Sequence, residues 1–95
     1  MSKRQVERRL RDVSDRLRAL RDDLRITEEH LIQMADEADD ARLRALVSET
    51  PLAEKEHRLA GRHADALRTH RDEVVAKIRN LETDQDVLLD RLTAS

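Results

Sequence analysis

The chain has ninety-five residues with no Cys, Phe, Trp or Tyr, a single Gly, a single Pro, 42% charged positions and a net charge of −2. This excludes disulfides, thiol catalysis and Cys-based zinc sites, removes the largest blocks of area a globular core can bury, and limits the chain to one domain. The 14 Leu and 11 Ala are strong helix formers, and with Arg, Glu and Asp they make the composition of a long helix or coiled coil.

The first predicted element is a helix over residues 3–47. Met1-Ser2-Lys3-Arg4 leads into charges rather than an apolar run, so no signal peptide is read. No window approaches the roughly 20 apolar residues of a membrane span, and a cytoplasmic protein is expected. One apolar set runs Val6, Val13, Leu20, Thr27, Met34, Ala41, and an interleaved set runs Leu10, Leu17, Leu24, Leu31, Ala38, Ala45. The alternating three- and four-residue spacing is a heptad seam.

Ser48-Glu49-Thr50-Pro51 is the predicted turn. Pro51 disfavours helical geometry at Thr50 and suits the first turn of a new helix. Ser48 or Thr50 is placed to cap it.

The second predicted helix covers 52–93. Ala53, Ala60, Leu67, Val74, Leu81, Leu88 alternate with His57, Ala64, Arg71, Ile78, Gln85, Leu92. A 3.5-residue period sustained this long implies left-handed supercoiling. Folding the chain at Glu49 sets Leu10 on Leu88, Leu17 on Leu81, Leu24 on Val74, Leu31 on Leu67 and Ala45 on Ala53. All are symmetric about that residue, so the two repeats meet without a slip. Residues 1–95 are therefore read as one all-α antiparallel coiled-coil hairpin. Thr27–Arg71 and Val13–Gln85 are polar layers, read as register-setting at a cost in stability.

Flanking charges support the same register. Arg16 falls beside Asp84, Asp23 beside Lys77, Glu37 beside His63, Arg44 beside Glu56, Glu28 beside Arg68 and Arg42 beside Glu54. Sliding by one heptad sets like charges together, which argues against wrong registers. The register also places His30 beside His70. Two imidazoles without a carboxylate or Cys partner are read as solvated flank positions, so no metal or cofactor is expected.

The half near the turn holds residues that the hairpin leaves unused. Ile32, Leu43, Leu46 and Val47 lie off the seam of the first helix, and Leu52 and Leu59 off that of the second. Asp36, Asp39 and Asp40 cluster among them, in a segment (26–57) with 3 basic and 9 acidic groups. Exposed contiguous apolar surface marks an interface; the competing reading is a kink near Asp39 that builds a local core from these residues. The seam beside them is largely Ala, so a lone hairpin is thinly stabilised. A homodimer forming a four-helix bundle around the tip halves is therefore expected, or docking on another protein.

No Gly-rich phosphate loop, His-Glu-x-x-His motif or base-and-orienter arrangement is present, and no enzymatic activity is expected. The function read from the sequence is a protein–protein interaction or scaffold module acting through the acidic, apolar half near the turn. The alternative is a factor that binds the transcription or translation machinery. Arg4, Arg8, Arg9 and Arg11 make a basic end, but the negative net charge and the lack of stacking aromatics argue against nucleic acid.

The stretch from Ala35 through Asp36-Glu37-Ala38-Asp39-Asp40-Ala41-Arg42-Leu43-Arg44 to Thr50-Pro51-Leu52-Ala53 resembles the central segment of small uncharacterised helical proteins of actinobacteria. That resemblance implies a bacterial, cytoplasmic origin and no particular activity. In shape the hairpin is also similar to the coiled-coil arms of bacterial transcript-cleavage factors. Those arms carry their acidic residues at the very tip, where this chain has only Glu49, and they are anchored by a globular domain that this chain lacks.

Overall fold

The first helix begins at a reciprocal cap. In the computed structural model, which describes residues 1–94, the Gln5 amide donates to Ser2 Oγ at 3.2 Å and the Ser2 amide donates to Gln5 Oε1 at 2.9 Å. Two otherwise orphaned helix-end donors are satisfied in this capping box. Met1 and Val6 occupy the positions of the accompanying hydrophobic staple and line one groove. Helix α1 then runs unbroken over Lys3–Ser48.

The turn is shorter than the expected 48–51. Glu49 adopts a left-handed backbone with φ of 52°, and its amide donates to the Ala45 carbonyl at 3.1 Å. This closes α1 with a single left-handed residue, although Glu49 carries a Cβ that this geometry disfavours. Thr50 caps the second helix: its Oγ1 accepts the Ala53 amide at 3.2 Å, and its carbonyl accepts the Glu54 amide at 3.1 Å. Ser48 is the last residue of α1 and is not the cap. With Pro51 in the first helical position, where its missing N–H costs nothing, α2 covers Pro51–Thr93. These are the two helices of the expected hairpin.

Every one of the expected seam residues is buried or half-buried on both helices, and every buried residue among those described belongs to the seam. Contacts group the chain into two compact units. One comprises Met1–Leu24 with the residues from Glu73 onward. Its core is Val6, Val13, Leu17, Val74, Ile78, Leu81 and Leu88, with Leu10, Leu20, Leu24 and Leu92 packed against it. Leu17 and Val74 are its most completely enclosed side chains.

The other unit is Arg25–Asp72. Its buried residues are Thr27, Leu31, Ala41, Ala53 and Ala64, with Met34, Ala38, Ala45, His57, Ala60 and Leu67 half-buried. Burying a Leu, Ile or Val side chain contributes about 1.5–3 kcal/mol, against about 0.8 kcal/mol for a single methylene-sized group. Apolar stabilisation is therefore concentrated in the first unit. Arg71 lies at the seam with its guanidinium turned outward: Nε donates to Asp72 Oδ1 at 3.2 Å, and a terminal nitrogen lies 3.1 Å from the same oxygen. Its alkyl stem covers the seam while the charge reaches solvent.

Candidate interaction surface

The seam uses one stripe of each helix, so pairing of the two helices does not account for the apolar residues off that stripe. α1 is continuous helix through Asp39, and the off-seam residues build no local core, since they remain exposed. Ile32 is 65% exposed, Leu43 52%, Leu46 63%, Val47 85%, Leu52 65% and Leu59 51%. Asp36, Asp39 and Asp40 are exposed as well.

The structure divides these residues between two sides of the second unit. Ile32 lines an open groove with Glu28, Leu31, Ala35, Arg68 and Arg71. Leu46 lines another with Arg42, Ala45, Glu54, His57 and Arg58. Fourteen residues, or two heptads, separate Ile32 from Leu46, so they hold one helical position, and Leu43 lies one turn from Leu46 on the adjoining face. Leu59 and Asp40 instead share a groove with Glu37, Arg44, Glu56 and His63. Val47 repeats the position of Asp40, and Leu52 that of Leu59, so both fall on this second side. Leu43, three residues from Leu46 and four from Val47, stands between the two sides.

Charge pairing departs from expectation in detail. The expected neighbours Glu37 and His63, Arg44 and Glu56, Glu28 and Arg68, and Arg42 and Glu54 line shared grooves, as the register requires. Arg68, however, takes Asp65 of its own helix at 2.7 Å. In the first unit Arg16 and Asp84 make no ion pair among the described residues, and Arg21 reaches Glu82 at 3.5 Å. The His30 ring meets His63 edge to face with centroids 5.8 Å apart. A flank residue lies between two facing positions one heptad apart, and exposed pairs differ by only tenths of a kcal/mol, so small effects decide between them.

Among the described residues, no group of three or more His, Cys, Asp or Glu is placed to hold a metal ion. Neither is any helix long and apolar enough to cross a membrane. Asp36, Asp39 and Arg42 make no ion pair or side-chain hydrogen bond among the described residues. The sequence reading missed Ile26 at 56% exposed in this unit, and Val87 at 46% and Leu89 at 44% in the other. Their signal was the same one, apolar residues off the seam.

No protein-family model, curated protein or solved structure matches the chain. The likeness of residues 35–53 to actinobacterial proteins therefore carries no functional argument, and the surface has to be interpreted from its own chemistry.

Proposed function

We propose that the chain is a non-enzymatic interaction or scaffold module of the bacterial cytoplasm, which pairs with a second copy through the half near its turn and so brings four helices together. One observation carries this reading. Ile32, Leu43 and Leu46 are more than half exposed on neighbouring faces of α1, alongside a seam built largely of Ala. Burying such side chains yields roughly 25 cal/mol per Å² of apolar area, and a two-fold arrangement buries each of them twice.

Sedimentation equilibrium tests it. The wild-type chain is expected to be dimeric at tens of micromolar, and Leu43→Asp with Leu46→Asp to be monomeric with unchanged helical circular dichroism. A folded wild-type monomer at that concentration overturns self-association. Retrieval of ribosomal or RNA polymerase subunits from nuclease-treated lysate by such a monomer would support the competing reading, a factor for the transcription or translation machinery.

A further inference from the structure

The segment of α1 centred on Asp39 is complementary to itself when reversed. Two antiparallel helices crossing at Asp39 bring residues equidistant from it to the same level. Ile32 is then level with Leu46 of the second copy, and because the two-fold carries each flank of the helix onto itself, Ala35 of one copy lies beside Arg42 of the other and Asp36 beside Leu43. Ile32, Asp39 and Leu46 repeat at seven-residue intervals, so they project from one line along the helix. Ala35 and Arg42 flank that line on one side and Asp36 and Leu43 on the other. All of these are exposed except Ala35, which is half-buried.

We propose that two copies pair α1 against α1, antiparallel about a two-fold axis at Asp39, with Ile32 packed on Leu46 at both ends and Asp39 and Arg42 paired crosswise at the centre. The proposal rests on the self-association reading above and specifies its face and polarity.

Charge decides the polarity. Both polarities set Asp39 beside its own copy, but a parallel pairing in register also sets Asp36 on Asp36 and Arg42 on Arg42, two further like-charge layers that cost affinity. The antiparallel pairing instead gathers two Asp39 and two Arg42 around the axis, each carboxylate within one helical turn of the other copy's guanidinium. Asp39 and Arg42 have no ion-pair partner within the chain among the described residues, so pairing breaks no existing interaction. The apolar residues lie beyond this centre, about 10 Å to either side at 1.5 Å per residue. Asp40 stands on the other side of the hairpin, in the groove with Leu59 and His63, and takes no part.

Cysteine crosslinking separates this face from every other. At a two-fold contact a residue meets its own copy, and facing helices bring the two Cα atoms within disulfide range. Under mild oxidation Asp39→Cys is expected to form covalent dimers at least several-fold faster than Asp40→Cys. Asp39→Arg gathers four cations at the axis and is expected to weaken the dimer about tenfold or more in sedimentation equilibrium. Asp39→Arg with Arg42→Asp exchanges the signs and is expected to restore affinity to within a few-fold of wild type. These positions are exposed, and circular dichroism confirms that each variant is folded. Equal crosslinking of the two cysteine variants, or no recovery in the exchanged pair, overturns this face while leaving a dimer sensitive to Leu43 and Leu46 standing. A monomeric wild-type chain overturns both.

Discussion

Replacing Gly61 with Ala isolates the intrinsic contribution of one helical residue. Gly61 lies in the interior of α2, ten residues past Pro51, and its φ is not positive. A Cβ built there meets nothing within 4 Å, so the methyl group introduces neither a clash nor a packing gain. What remains is the cost of fixing a glycine backbone in a helix, about 0.8–1 kcal/mol relative to Ala. For a chain of this length 1 kcal/mol corresponds to roughly 4–8 °C in Tm. Urea denaturation followed by far-ultraviolet circular dichroism, at matched chain concentration because self-association shifts the midpoint, should show a higher midpoint at unchanged slope. An unchanged or lower midpoint would refute the reasoning: either α2 is not helical at residue 61 in solution, or something abuts it there.

Other substitutions probe the turn and the core. Glu49→Gly relieves a left-handed non-glycine backbone worth about 1–2 kcal/mol, partly offset by the freedom that Gly gains in the unfolded chain. A net stabilisation of about 0.5–1 kcal/mol is expected, and destabilisation would mean that the left-handed turn is not the dominant state. Thr50→Ala removes the cap on the Ala53 amide and should cost about 1 kcal/mol, measured in the same denaturation assay. Leu17→Ala, at a position only 1% exposed, should cost about 2–5 kcal/mol, and a loss below 1 kcal/mol would mean that Leu17 is not in the core.

The parts of the structure legible in the sequence are those backed by large energies. Moving Leu17 or Val74 off the seam forfeits several burial increments at once, so the heptad pattern identified the core stripe on both helices. The break at residues 48–51 was equally plain, because Pro51 acts through steric exclusion. Its internal geometry was less so. A left-handed glutamate is unusual enough that neither Glu49 nor the choice of Thr50 over Ser48 as cap followed from residue type. The capping box at Ser2 and Gln5 is carried by a Ser-x-x-Gln spacing. Partner choice on the flanks was not legible: His30 could turn to His63 or His70, and Arg68 to Glu28 or Asp65, for differences of tenths of a kcal/mol. Separating Leu59 and Asp40 from Ile32 and Leu46 needed the helical phase of each residue relative to the seam.

All of these surfaces depend on the hairpin being closed by a single chain in the register centred on Glu49. Cysteines at Leu17 and Leu81, which belong to one core, test that claim directly. Oxidation of the double variant followed by non-reducing denaturing electrophoresis should give an internally crosslinked monomer of altered mobility, formed at a rate independent of concentration. Crosslinks formed only between chains would contradict the account and indicate an extended or domain-swapped pair in place of the hairpin.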